Sequence, residues 1–142
     1  MPLTVEDPVE RVLVVDDSPA TLKLYRVVLE LEGYEVTVAS SVREALRRLP
    51  QCDPHLLLVD LRLPDGDGFS LARSLGADPA WRALPVVAVS AHSDGRAELD
   101  ARAAGCSRFL RKPVEPADLV SAVRSAIAGM RPPRPTLYGK RT

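Results

Sequence analysis

Leu56-Leu57-Leu58-Val59-Asp60 is an unbroken apolar run that stops on a carboxylate, and Leu61-Arg62-Leu63-Pro64-Asp65-Gly66 after it spells a turn. A run of strand length without polar alternation needs cover on both faces, which is the condition of a strand inside a parallel sheet. Asp60 then sits at the strand's carboxyl end. Open α/β sheets place their ligands along that edge, because strand ends and helix N-termini converge there. The expectation is an α/β fold with its chemistry gathered at one sheet edge.

The remaining segments repeat the pattern. Arg11-Val12-Leu13-Val14-Val15 is an apolar, β-branched run closed by Asp16-Asp17, and Ser18-Pro19 caps a helix in which Leu22, Tyr25, Val28 and Leu29 recur at helical spacing up to Gly33. Tyr34-Glu35-Val36-Thr37-Val38 alternates with period two, and Ser41-Val42-Arg43-Glu44 is a capping box opening a helix with the stripe Val42, Ala45, Leu46 and Leu49. A third helix is expected from Asp67 to Leu75, ended by Gly76, before the strand Pro85-Val86-Val87-Ala88-Val89-Ser90. Ala97, Ala101 and Ala104 give the next helix a weak stripe, which buries little apolar area and marks it as a candidate moving part. Ser107-Arg108-Phe109-Leu110 is a short fifth strand, and after Arg111-Lys112-Pro113 a last helix opens at Glu115-Pro116 and carries Leu119, Ala122, Val123, Ala126, Ile127 and Met130 on one face. Five strands alternating with five helices, joined by short right-handed crossovers, make a doubly wound parallel sheet with helices on both faces. Residues 1–9 read as a leader, residues 10–130 as the domain, and the basic, proline-rich residues 131–142 as a disordered tail.

Composition narrows the function. At 142 residues the chain fits one domain, and 19 Lys plus Arg against 19 Asp plus Glu leave no basic field for nucleic acid or a membrane surface. Cys52 and Cys106 are too few for a disulfide framework, and the N-terminus lacks the basic start and apolar core of a signal peptide. No run reaches transmembrane length, so a cytoplasmic protein is expected. No helix-turn-helix pattern follows residue 130, which disfavours a DNA-binding regulator.

In a parallel sheet Asp16, Asp17, Asp60, Ser90 and Lys112 share one edge although they are far apart in sequence. Carboxylates packed together repel unless a cation intervenes. Mg2+, with Mn2+ as the alternative, suits such a site, since it takes one or two carboxylates together with waters and a phosphate. Lys112 adds a point charge for the same anion. A carboxylate so placed can be the nucleophile on a phosphoryl donor, and Asp60, the lone acid on the most apolar strand, is the better candidate.

The combination Val14-Val15-Asp16-Asp17-Ser18, Val59-Asp60-Leu61-Arg62-Leu63-Pro64-Asp65-Gly66-Asp67-Gly68, Val89-Ser90-Ala91 and Phe109-Leu110-Arg111-Lys112-Pro113 closely resembles the receiver domain of two-component response regulators, over residues 10 to 130. The resemblance implies a flavodoxin-like fold with strand order 2-1-3-4-5, and a stand-alone signalling receiver rather than an enzyme, its only chemistry self-phosphorylation and autodephosphorylation. Asp60 would accept a phosphoryl group from a histidine kinase or histidine phosphotransfer protein. Asp17, Asp60 and the backbone carbonyl of Arg62 would ligate Mg2+, with Asp16 acting through water. Lys112 would contact the phosphoryl group, Lys112-Pro113 would be a cis peptide, and Ser90 and Phe109 would be the hydroxyl and aromatic switch positions. The face formed by the fourth helix, fifth strand and fifth helix would then change shape for a downstream protein target or a phosphorylation-dependent homodimer. Serine stands where threonine is commoner, and phenylalanine where tyrosine is, so no phenolic hydroxyl can mark the state of the switch.

Other readings of the same residues exist. Asp17-Ser18-Pro19 could merely cap a helix, and Asp65-Gly66-Asp67-Gly68 superficially suggests a calcium loop, but Phe69 and Leu71 fall where polar ligands are needed, so it reads as a turn. Arg62 and His92, each two residues beyond a strand end, are candidates for setting phosphoryl lifetime, while His55 reads as a surface residue and Trp81 as packing over the third helix. A small Mg2+-dependent phosphohydrolase using an aspartyl-phosphate is the alternative function; the haloacid-dehalogenase type wants an acid where Arg62 stands. A receiver-like module that binds partners without phosphate is a third, and the intact acids argue against it.

Overall fold

The computed structural model describes residues 8–91 and 95–130. Strands β1 (Arg11–Val15), β2 (Glu35–Ala39), β3 (Leu56–Asp60), β4 (Val86–Ser90) and β5 (Arg108–Arg111) form one parallel sheet in the order 2-1-3-4-5. Helices α1 (Pro19–Leu31), α2 (Val42–Cys52), α3 (Gly68–Gly76), α4 (Gly95–Ala103) and α5 (Pro116–Met130) follow the strands in turn. The doubly wound, flavodoxin-like arrangement expected from the sequence is therefore the one observed.

The two-residue period divides the strands between two cores. Val12, Val14, Leu56, Leu58, Val87 and Val89 pack with Tyr25 and Leu29 of α1 and with Leu119, Val123 and Ile127 of α5. Leu13, Val15, Leu57, Val59 and Val86 face the other way, against α2 and α3. Every residue of β3 and β4 is buried, as unbroken apolar runs require. Trp81 packs into the α3 side, as expected. Helix α4 buries Ala101 but leaves Leu99 exposed, in keeping with its weak stripe.

Several local details differ from expectation. Strands β2 and β5 each begin one residue later than their sequence patterns suggest, and α2 continues through Pro50 to Cys52 while Leu46 stays exposed. Between Asp60 and α3 the chain is more than a turn: Arg62–Leu63 pairs antiparallel with Gly66–Asp67 in a short ribbon. His92, most of the leader and the tail from Arg131 lie outside the described residues, as does the Met130 side chain.

His55 is half-buried rather than a free surface residue, its Nδ1 accepting the Arg11 amide at 2.9 Å. Burial, then the charge of Arg11, hold its pKa below the ordinary value against the opposing pull of Asp53. The fold therefore favours the neutral ring, so this contribution is complete above the ordinary histidine pKa and is lost as pH falls through the lowered one. Urea unfolding at pH about 7.5 and about 5.5 should show the parent losing more stability between the two than His55→Asn, whose amide oxygen accepts the same bond without titrating.

Candidate functional site

The register of the central strands builds the site. Val15 lies beside Val59, so the next residues, Asp16 and Asp60, leave β1 and β3 together at the carboxyl edge. Both are buried, at 2% and 7% exposure, while Asp17 is exposed beside them. One carboxylate oxygen from each of Asp16, Asp17 and Asp60 lies within 4.8 Å of the others.

Lys112 enters from the loop after β5, whose Lys112–Pro113 peptide is cis, the isomer the sequence resemblance implied. Its backbone amide donates to the Ser90 carbonyl at 2.9 Å, which anchors this loop to the end of β4. From there the ammonium donates to Asp16 Oδ2 at 2.9 Å and to Asp60 Oδ2 at 3.0 Å. Burial pulls the Lys112 pKa down, but the hydrogen bonds and charges of the two aspartates outweigh it and leave the pKa raised. The other oxygens are held as well: Ser18 N donates to Asp16 Oδ1 at 2.8 Å, and Arg62 N to Asp60 Oδ1 at 3.0 Å. Each buried carboxylate is thus fixed in plane by one backbone amide and one shared ammonium.

Three carboxylates against one ammonium leave an excess of two negative charges, the charge of a single divalent cation. All-oxygen donors, two buried and one open to solvent, suit a hard ion that keeps part of its water shell. The triad is thus able to chelate a divalent cation. Ser90 is buried at the end of β4, and Phe109 of β5 is half-buried against Leu61, Ala88 and Ala101 under α4. Arg62 is exposed, with its amide turned to Asp60.

Sequence reasoning missed two neighbours. Tyr25, read only as a core position of α1, is buried close enough to the charged cluster to feel it: burial pushes its hydroxyl pKa up, Lys112 opposes, and Asp16 and Asp60 add to the rise. Asp65, read as a turn residue, accepts the amides of Val42 and Arg43 at the start of α2. No local pattern announces either role, although the capping box at Ser41 did mark the helix end that Asp65 meets.

Gly68 shows how closely the loop is packed. A Cβ there would lie 2.8 Å from the Asp60 carbonyl oxygen and 3.1 Å from Leu61 Cα, both backbone atoms that cannot step aside cheaply. Gly68→Ala is expected to cost about 1–3 kcal/mol of stability, measured by urea unfolding, because β3 or α3 must shift to admit the methyl group.

Residues 12–124 match the family described as the response regulator receiver domain. Response regulator PleD of Caulobacter vibrioides is 39% identical over 116 residues, a span covering 81% of this chain and 25% of PleD. Polar-differentiation response regulator DivK of Brucella ovis is 32% identical over 114 residues, covering 80% of this chain and 93% of DivK. The chain thus matches a quarter of the first relative and nearly all of the second. The signal receiver domain of a signal transduction histidine kinase from Syntrophus aciditrophicus shares the fold at a TM-score of 0.80 and 30% identity, over 88% of this chain and 95% of that one.

Proposed function

The chain belongs to the response regulator receiver domain family, and from that premise we propose that it is a phosphorylation-dependent signalling switch with Asp60 as the phosphoryl acceptor. The observation that carries this reading is the Lys112 ammonium shared between two buried carboxylates, with a third carboxylate at the solvent side. A purely structural acid at a strand end would need a partner for its own charge, but not two further carboxylates crowded beside it.

The donor is a phosphohistidine on a histidine kinase or histidine phosphotransfer protein. An Asp60 oxygen forms a bond to phosphorus as the phosphorus–nitrogen bond to the donor imidazole breaks, and that nitrogen keeps the electron pair. Arg62 N, bonded to Asp60 Oδ1, holds the carboxylate plane while this happens. Asp16, Asp17, Asp60 and the Arg62 carbonyl are the groups that would hold Mg2+ or Mn2+. The chemistry such an ion would supply there is neutralisation of charge on the transferring oxygens. Lys112 donates to one of those oxygens, exchanging its bond to Asp60 for one to the phosphoryl group.

The Ser90 hydroxyl then donates to another phosphoryl oxygen and moves toward it. Phe109, packed against the small Ala88 and Ala101, turns inward, and the surface of α4, β5 and α5 changes for a downstream protein target or a second copy of the chain. Little apolar burial holds α4 in one position, which keeps such a change inexpensive.

The reading is tested by incubating the protein with Mg2+ and acetyl phosphate, or with a cognate kinase, and following intact mass. One phosphoryl adduct is expected with Mg2+ and none after chelation. No adduct even with the cognate kinase refutes the proposal, and rapid turnover of unrelated phosphate esters would favour a phosphohydrolase instead. Among the described residues no helix is long and apolar enough to cross a membrane.

A further inference from the structure

The first two amides of α2, those of Val42 and Arg43, donate to the two carboxylate oxygens of Asp65 at 2.8 and 2.9 Å. The helix's own cap satisfies only the next donors: Glu44 N bonds Ser41 Oγ at 3.0 Å, and Ala45 N bonds the Ser41 carbonyl. The N-terminal donors of α2 are therefore divided between a local cap and a residue more than twenty positions downstream, in the loop that follows Asp60. The amides of Arg43 and Val42 hold the Asp65 pKa below the usual carboxylate value, so the group stays charged against the positive end of the helix.

The same loop is fastened elsewhere too. Arg62 pairs with Asp67 and Leu63 with Gly66, Gly68 N donates to the Leu61 carbonyl at 3.1 Å, and Asp67 caps α3 through Ser70 N at 2.7 Å. Gly66 also lies against Val42, since a Cβ added there would approach Val42 Cγ2 to 3.3 Å. These fastenings join the loop to itself and to α3, whereas the Asp65 bonds and the Gly66 contact reach across to α2. Of the polar contacts, only the Asp65 pair spans that gap among the described residues. The backbone of Arg62, three residues before Asp65, supplies the amide that fixes Asp60 Oδ1.

We propose that Asp65 is a positioning residue: by tethering the loop of residues 61–67 to the N-terminus of α2, it holds the Arg62 backbone and the Asp60 carboxylate in the arrangement that takes up the divalent cation. This inference rests on the reading of the acidic triad as a Mg2+ site. Asp65 touches neither the ion nor the phosphoryl group. It acts through the loop, as outer partners of metal ligands do.

The test compares the parent with Asp65→Ala, Asp65→Asn and Ser41→Ala by isothermal titration with Mg2+ and by amide hydrogen exchange over residues 61–67. Asp65→Ala should weaken Mg2+ binding by about ten-fold or more, the usual size of an outer-partner loss. Asp65→Asn, which keeps one acceptor oxygen, should weaken it less. Ser41→Ala removes a cap bond from the same helix without touching the loop, so it should lower unfolding stability yet leave Mg2+ affinity within about two-fold of the parent. Exchange in the loop should quicken in the Asp65 variants alone. Parental Mg2+ affinity in Asp65→Ala overturns the tether, and so does a Ser41→Ala loss as large as that of Asp65→Ala, because helix stability would then be the cause. A parent that binds Mg2+ but takes no phosphoryl group from any donor overturns the acceptor reading while the affinities still decide the tether. A parent that binds no Mg2+ overturns both.

Discussion

Asp60→Asn is expected to abolish the phosphoryl adduct that the parent gains with acetyl phosphate and Mg2+, leaving the intact mass unchanged after incubation. The substitution keeps the shape and one acceptor oxygen, so the bond from Arg62 N survives. It removes the anionic nucleophile and turns an amide nitrogen toward Lys112, where the parent has Oδ2 at 3.0 Å. Two energetic effects then oppose each other: a charge-assisted bond is lost, but one of three crowded negative charges goes with it. Their near cancellation should keep the unfolding free energy within about 1 kcal/mol of the parent, so loss of the adduct cannot be blamed on loss of the fold. An adduct that persists in Asp60→Asn would place the acceptor on another residue and leave Asp60 as a metal ligand alone.

The part of this site visible in the sequence is the part written by local rules. Apolar runs ending on acids located Asp16, Asp17 and Asp60, and the parallel topology implied by unbroken strands put them on one edge, where the structure holds them within 4.8 Å. Lys112 was legible for the same reason, as a cation in the Arg111-Lys112-Pro113 stretch that follows the last strand run. What escaped depends on partners distant in sequence. Asp65 finds its amides 22 and 23 positions upstream, and His55 binds an amide 44 positions away, so neither carries a neighbouring signal. Leu46 fits the helical stripe of α2 yet stays exposed, because Ala45 and Leu49 already fill the face that meets the sheet. Periodicity fixes which face of a helix turns inward, but the width of the buried stripe depends on the neighbouring elements.

Lys112→Ala should have two separable consequences, one on chemistry and one on stability. Phosphoryl uptake at saturating Mg2+ should slow by about ten-fold or more, since a preorganised donor to the transferring oxygens is gone. In low Mg2+ the protein should also lose up to about 3 kcal/mol of stability, the lower end of the cost of leaving a buried charge uncompensated, because the Lys112 side chain is part exposed at 24% while the side chains of its partners Asp16 and Asp60 are at 2% and 9%. The raised pKa of Lys112 gives the sign of the alkaline effect. A raised cationic pKa contributes stability that is complete below the ordinary lysine value and is lost as pH climbs through the folded one. The gap between parent and Lys112→Ala in urea unfolding should therefore hold at pH about 8 and narrow toward pH about 11. Added Mg2+ should narrow it at pH about 8 as well, because a divalent cation on the triad relieves the repulsion that Lys112 otherwise offsets. A deficit that Mg2+ leaves untouched would mean that the ammonium and the cation do not compensate the same charges, and the metal reading of Asp16, Asp17 and Asp60 would have to be given up.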